Sequence, residues 1–190
     1  MAKLTDTITV SNQGIEVASI KTTEPIQIQH KTFKVGGYFE KFYAVVFSDD
    51  GWSEGALELE IFRPDVHTDS KARGALLSQF TFHSSAWGNG ADFQYAEIHQ
   101  SQNKFIAGYQ NHYHSTRLVI WLRGGGTTYH WRSNHPATLL DFEAKSKVVV
   151  HLSPDHPNYE NAKLLVEVKT EIAPSLNKWH VYPWIESFFK

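Results

Sequence analysis

The clearest pattern in the chain is the alternation of apolar and polar residues over short segments. Segment ALELEIF (56–62) places Leu57, Leu59 and Ile61 on one face of an extended chain. Glu58 and Glu60 fall on the other face, because successive side chains of a strand point to opposite sides. This segment therefore predicts a β-strand with one buried face and one face open to water.

Similar short segments recur along most of the chain. YFEKFYAVVF and ALLSQFTFH are rich in apolar and aromatic residues, as are FQYAEIHQ, KFIAGYQ, TRLVIWLR, TTYHWRS and KVVVHL. Turn-like residues separate most of them at roughly 8–12-residue intervals, a spacing typical of sandwiches and barrels. We predict an all-β fold, an antiparallel β-sandwich of jelly-roll-like form. AKLLVEVKTEI (162–172) fits either a short helix or a strand.

Residues 1–37 have a different character from the remainder. ITVSNQGIEVASI and IQIQHKTFKV alternate, but they contain little that could fill a core. We predict an N-terminal β arm or attachment segment over residues 1–37, or a strand exchanged with a neighbouring subunit. Residues 38–190 are predicted to form the β-sandwich domain. Such an arm is marginal alone and would bury its apolar faces by intertwining with other copies.

Two glycine-containing segments predict turns. Asp50-Gly51 lies within SDDGWSEG, and three glycines (124–126) separate TRLVIWLR from TTYHWR. A phosphate-binding glycine loop is followed by a helix N-terminus, whereas here a strand follows. We therefore predict hairpin turns at both places, with positive φ at one or two of the three glycines.

Composition narrows the possible functions. Among 190 residues, 41% are hydrophobic and 14% aromatic, which is enough to form a core. The net charge of −2 argues against nucleic-acid binding. No apolar stretch is long enough to insert into a membrane, and MAKLTDTITV is not a secretory signal. Because cysteine is absent, neither a disulfide nor a catalytic thiol is expected.

The acidic residues form no recognisable catalytic pattern. A glycosidase requires two carboxyl groups ~5–9 Å apart across a cleft. Pairs such as Glu58 with Glu60, or Asp49 with Asp50, are more typical of a solvated face. No nucleophile-elbow pattern G-x-S-x-G is present. We therefore predict no catalytic residues and a protein that is not an enzyme.

Histidine is unusually frequent, with 11 residues. In NHYHS, His112 and His114 would lie on the same face of a strand. Two ligands are too few for a stable metal site, but a threefold assembly would supply six, enough for an octahedral transition metal on its axis. The alternative, which the pattern favours, is a pair of solvent-facing histidines near a loop.

The loop SSAWGNGADF has the composition of a sugar-binding site. Trp87 offers a ring that would stack on the apolar face of a hexose, and Asn89 offers an amide for its hydroxyl groups. Binding sites in general combine aromatic surface with a few placed polar groups. Trp52, in DDGWSEG, is a further candidate. Either tryptophan could instead anchor its loop in the core.

Several of these segments together resemble a known module. KFYAVVFSDDGW, ELEIFRPDVHTDSKARGALLSQFTFHSSAWGNGADF, FIAGYQ and STRLVIWLRGGGTTYHWRSN look like the C-terminal receptor-binding module of bacteriophage and prophage tail fibres. The resemblance covers roughly residues 37–135. Its most specific parts are VH-x-DS-x-x-RG (66–74), AWGNG (86–90) and WLRGGGTTYH (121–130). Residues 1–36 and 136–190 do not match, and the chain is much shorter than such fibres.

The resemblance implies a homotrimeric all-β domain in the virion tail that binds a bacterial surface polysaccharide and is attached to other tail or baseplate proteins. Through it, His67, Asp69 and Arg73 join the loop residues as candidate ligand contacts. Trimeric fibres of this kind sometimes bind iron on their axis through His-x-His, which would concern His112 and His114. No other cofactor is implied.

The resulting expectation is a receptor-binding protein that recognises a cell-surface glycan during host adsorption, made in the host cytoplasm. One alternative is a polysaccharide-degrading enzyme, a depolymerase or esterase, with Glu58 and Asp92 as candidate acids. Another is a structural fibre component without a ligand. Three weak sites on one trimer would gain ~10²–10⁴ in avidity.

Overall fold

A computed structural model describes residues 8–11, 14–17, 30–64, 71, 73–84, 92–112, 115–151, 163–174 and 176. Within these residues all thirteen assigned elements are β-strands. Every pairing between them is antiparallel. The predicted all-β class is therefore confirmed.

Five strands form one sheet. Their order is β3 (Lys31–Val35), β10 (Thr127–Ser133), β5 (Leu57–Arg63), β6 (Leu76–His83) and β7 (Asp92–Gln100). Strand β5 alternates as predicted, since Leu57, Leu59 and Ile61 are fully buried while Glu58 is exposed. Strands β6 and β10 alternate in the same way. One face of this sheet is consequently buried in the core, and the other is open to water.

A second sheet has four strands, in the order β11 (Ala137–Asp141), β4 (Phe42–Asp49), β9 (Arg117–Arg123) and β8 (Ile106–Asn111). The inward side chains of both sheets pack into one hydrophobic core, a sandwich-like arrangement. Every residue of β4 is buried, and so are the five central residues of β9. This continuous burial shows that both faces of the four-stranded sheet are covered.

The outer face of the four-stranded sheet is covered by a hairpin, β12 (Lys147–His151) with β13 (Lys163–Glu167). Val148, Val150 and Val166 of the hairpin pack with Phe42 and Trp121 in a second apolar cluster. The Trp121 indole Nε1–H donates to the Glu167 carbonyl at 2.7 Å. The segment that fits helix or strand by sequence is thus a strand.

Both turn predictions need correction in the same respect. Strands β4 and β5 belong to different sheets, so the turn at Asp50-Gly51 crosses between sheets instead of closing a hairpin. Glycines 124–126 also cross between sheets, from β9 to β10. Positive φ is confirmed at Gly125 and Gly126, both at 81°.

The three glycine amides do not form an anion cradle. The N–H groups of Gly124, Gly125 and Gly126 donate to the carbonyls of Lys41, Gly36 and Val35, each at 2.9 Å. These three donors already bond to the backbone, so they are not available to an anion. The stretch is therefore a turn, as the sequence predicted from the strand that follows the glycines.

Further findings concern the first three strands and β11. Strands β1 (Ile8–Ser11) and β2 (Gly14–Val17) pair with each other. Strand β3 also falls within residues 1–37, yet Phe33 and Val35 lie in the core. The assignment of residues 1–37 as an arm stays a prediction, but its last strand belongs to the five-stranded sheet. Strand β11 had no counterpart among the predicted strands.

Candidate functional site

The outer face of the five-stranded sheet carries an open groove with a volume of about 430 Å³. Strands β10, β5, β6 and β7 contribute its lining. The groove forms where side chains alternate away from the core, because every second residue of these strands faces outward. Its floor is therefore built from two neighbouring rows of side chains that cross the strands.

The first row is polar. It consists of Glu97, Gln79, Glu60 and Arg132, one from each of β7, β6, β5 and β10. The register pairs Gln79 with Glu97, Glu60 with Gln79 and Arg132 with Glu60. Since neighbouring strands lie about 4.8 Å apart, the row presents one polar side chain at each such interval.

The charged side chains of the polar row are paired. Arg132 donates from Nε to Glu60 Oε2 at 2.8 Å and from Nη2 to Glu60 Oε1 at 2.9 Å. Glu97 accepts from the Tyr95 hydroxyl at 2.5 Å, and its other oxygen lies 2.6 Å from Nε2 of His99. Both carboxylates are therefore fixed in orientation by neighbours on the same face of the sheet.

Gln79 occupies the centre of this row, between the two glutamates. Within the described part of the chain its side-chain amide forms no hydrogen bond. An amide carries two donor hydrogens and an acceptor oxygen. The middle of the groove thus offers hydrogen-bonding groups that no described residue uses.

The second row lies beside the first and has two apolar side chains, Leu77 and Phe62, at its centre. It contains His99, Leu77, Phe62 and His130, again in register across the strands. Leu77 is 62% exposed. The rings of Phe62 and His130 stack with centroids 5.4 Å apart. The groove consequently has one polar wall and one apolar wall.

His130 ends this row against a second imidazole. The His30 ring meets it edge-on with centroids 4.8 Å apart, and Thr32 Oγ1 lies 3.0 Å from its Nδ1. Desolvation lowers the pKa of His130, and the nearby charges of His30 and Arg63 lower it further. The ring is therefore held in its neutral form to lower pH than a free imidazole.

A different polar cluster lies buried at one end of the sandwich. The Ser84 hydroxyl donates to Asp49 Oδ2 at 2.6 Å, and His135 Nε2 lies 2.8 Å from Asp49 Oδ1. Catalytic serine triads place histidine between serine and carboxylate, whereas here the carboxylate is in the middle. The cluster therefore ties together the ends of three segments and does not activate Ser84.

Two of the predicted sugar-binding segments begin directly after members of this cluster. The turn that contains Trp52 begins directly after Asp49, and residues 85–91 begin directly after Ser84. Trp52 is half-buried. Trp87 and Asn89 lie outside the described residues, as do His67 and Asp69, and their role as ligand contacts stays a prediction.

The remaining predicted residues lie apart from the groove. Arg73 is exposed, and its carbonyl accepts from Asn103 Nδ2 at 2.6 Å. His112 is half-buried after β8, where its backbone N–H donates to the Arg117 carbonyl at 3.1 Å. His114 lies outside the described residues. Trp52, Arg73 and His112 do not line the groove.

Among the described residues no group of three or more histidine, cysteine, aspartate or glutamate side chains is placed to hold a metal ion. The two alternative acids are also separate: Glu58 is exposed on β5, while Asp92 begins β7 and its Oδ1 accepts from the Phe93 N–H at 2.8 Å. In the register Glu58 lies opposite Thr81 and Asp92 lies opposite His83. They therefore do not stand opposite each other across the strands.

Sequence reasoning identified Glu60 as an outward carboxylate but missed its neighbours. Gln79, Glu97, Arg132 and Leu77 occupy outward positions of alternating segments, which is the one signal that marked them. Their proximity depends on which strands pair, and alternation does not contain that information.

Comparison of the chain with models of protein families, with curated proteins and with solved structures found no match. No helix in the described part of the chain is long and apolar enough to cross a membrane.

Proposed function

We propose that this protein is the receptor-binding protein of a bacteriophage tail fibre, which recognises a bacterial cell-surface glycan during host adsorption. The segments that resemble the tail-fibre module motivate the biological setting. The observation that carries the binding role is the open groove, with Gln79 in its polar row and Leu77 in its apolar row. A sugar presents hydroxyl groups at its edge and C–H groups on its face, so it can use both walls at once.

In this proposal the groove is a glycan contact, and the predicted loop contacts, including Trp87 and Asn89, add to it. The Asp49 cluster fixes Asp49 and Ser84, after which two of these segments begin. A buried carboxylate with two polar partners holds a single arrangement of the segments that it joins.

The proposed fold is jelly-roll-like and the proposed assembly is a homotrimer in the virion tail, joined to other tail or baseplate proteins. Two pairings support the jelly-roll-like form, namely β3 with β10 in one sheet and β4 with β9 in the other. In each pair, an early strand of the chain lies beside a late one, as in a chain that folds back on itself. Light scattering should give about three times the 21.7 kDa chain mass. A monomer would count against the trimer.

Binding to purified surface polysaccharides from a panel of bacteria tests the function. We expect Gln79→Ala and Leu77→Ala each to weaken binding by about tenfold, because each removes a central groove contact. Gln110→Ala and Leu165→Ala are matched controls, since Gln110 is an exposed strand residue of the other sheet and Leu165 is 54% exposed. Both controls should bind as the parent does.

Other outcomes separate the alternatives. Release of reducing ends from a bound polysaccharide, abolished by Glu58→Gln or Asp92→Asn, would replace the proposal with a depolymerase. Failure to bind any polysaccharide, together with normal host adsorption by particles that lack the protein, would leave a structural fibre component.

A further inference from the structure

We infer that the groove selects uncharged glycans and rejects those that carry carboxylate or phosphate groups. The inference rests on the proposed function, because it names the class of glycan that the groove would accept. It depends on how the charges of the polar row are paired, which is a separate observation from the presence of the groove.

The basic side chains that line the groove are already engaged. Among its described lining residues these are Arg132 and His99. Arg132 meets both oxygens of Glu60 through two donors, and His99 contacts Glu97. An incoming anion would have to compete with a carboxylate that is already in place. This contrasts with anion sites, where arginine is free to form the bidentate pair with the ligand.

The net charge of the lining disfavours anions as well. Glu60 and Glu97 contribute two negative charges and Arg132 contributes one positive charge, so carboxylates outnumber guanidinium groups in the lining. A ligand carboxylate placed in the row would lie close to Glu60 or Glu97. Like charges a few ångströms apart repel, and near a protein surface this repulsion is only partly screened.

The groups left for a ligand are suited to neutral hydroxyls. Gln79 offers both donors and an acceptor, and the N–H groups of Arg132 that do not contact Glu60 can donate further. Leu77 and Phe62 beside them favour a C–H surface over an ionic one. The occupant that uses both walls without an unpaired charge is a neutral hexose or deoxyhexose polymer.

The test compares polysaccharides that differ only in charge. The full chain is titrated with acidic bacterial polysaccharides and with their carboxyl-reduced, neutral counterparts, beside naturally neutral surface polysaccharides. We expect the polysaccharides that bind to be neutral. Each carboxyl-reduced form should bind at least about tenfold more tightly than the acidic polysaccharide from which it was made. Neutral binding should change little between about 50 and about 300 mM NaCl, because no ion pair with the ligand forms.

Two variants test whether the polar row causes the preference for neutral polysaccharides. Glu97→Gln removes one negative charge and should reduce the preference for the neutral form, whereas Glu143→Gln, at a glutamate that is 70% exposed and lies outside the groove, should leave it unchanged. Acidic parents that bind as tightly as their reduced forms, with binding lost in Gln79→Ala, would overturn the charge inference alone. Neutral binding that Gln79→Ala leaves unchanged would place the ligand elsewhere and also overturn it. Absence of binding by every polysaccharide would overturn the proposed function itself.

Discussion

The outer faces of the two sheets differ, because one is covered by other residues and one is open, although both sheets contribute to one core. The outer face of the four-stranded sheet presents Phe42, Val46 and Trp121 and lies under the β12–β13 hairpin. The outer face of the five-stranded sheet presents Glu60, Gln79 and Arg132 and forms the open groove. The comparison shows that only one face of this sandwich is covered by an apolar layer from the described chain.

The difference is already visible in the two kinds of strand. Strand β5 reads LELEIFR and alternates, whereas β4 reads FYAVVFSD and is buried throughout. A strand that is buried on both faces must be apolar at successive positions, since neighbouring side chains point to opposite sides. The covered face should therefore contribute to stability, and the open face should contribute to binding.

The largest effect is expected from Trp121→Ala on the covered face. Trp121 is 3% exposed, and its ring packs under the Lys169 ammonium at 4.2 Å. Loss of this side chain should lower the free energy of unfolding by about 3–5 kcal/mol. Urea denaturation measures the change. A loss below about 1 kcal/mol would mean that the hairpin does not cover this face in solution.

A smaller loss of stability is expected from substitutions in the hairpin itself, where two neighbouring residues provide a buried position and an exposed control. Val166 is 4% exposed and Leu165 is 54% exposed on the opposite side of β13. Val166→Ala should cost about 1–2 kcal/mol, because it removes two buried carbon groups. Leu165→Ala should change stability by less than about 0.5 kcal/mol. Equal costs in the same denaturation assay would contradict the observed orientation of the hairpin.

Ion pairs on the two faces should matter less. Arg132→Gln breaks the ion pair with Glu60, which has two hydrogen bonds and in which both side chains are more than one-third exposed. We expect a loss of about 0.2–1 kcal/mol in the free energy of unfolding. Lys147→Gln on the hairpin breaks a more exposed, single-contact pair with Glu167 and should lower stability by less than Arg132→Gln does. A larger loss for Lys147→Gln would reverse this ranking.

On the open face, Leu77→Ala should have little effect on folding. Leu77 is 62% exposed, so its removal should change the free energy of unfolding by less than about 0.5 kcal/mol while weakening glycan binding. Measuring denaturation and binding on the same preparation separates the two effects. A large loss of stability would show that Leu77 is covered in the assembled protein.

The smallest effect is expected from pH and concerns His130 on the open face. Its pKa is lowered below the ordinary value of 6.5 in the folded protein, so the unfolded chain binds more protons just below that pH. The contribution of His130 to stability should therefore be full above pH 6.5 and should decline as pH falls below it. Denaturation at about pH 7.5 and about pH 5.5 should show a weaker pH dependence in His130→Gln than in the parent. An unchanged dependence would assign the effect to other histidines.

The strands were the most predictable part of the fold. Alternation in ALELEIF predicted which side chains of β5 are buried. The turns at Asp50-Gly51 and Gly124–Gly126 were located correctly but were wrongly assigned as hairpins. A turn sequence indicates a change of direction, and it does not show whether the next strand joins the same sheet.

The site was less predictable than the strands. Glu60 was considered only as a partner of Glu58 on its own strand. Its actual neighbours are Arg132, far along the chain, and Gln79 on the next strand. The loop residues that the sequence did highlight, such as Trp87, lie outside the described residues, so their contribution to binding is for the glycan measurements to decide.

The amino-acid sequence by itself determined that the chain forms short strands and which side chains of each strand share a face, because the geometry of an extended backbone is local. Only the tertiary structure decided the strand order β3, β10, β5, β6, β7 and the covering of the other sheet. These depend on pairing between residues that are distant in sequence, and many such pairings satisfy the same alternation. The groove is a product of that choice, because each residue of its polar row comes from a different strand.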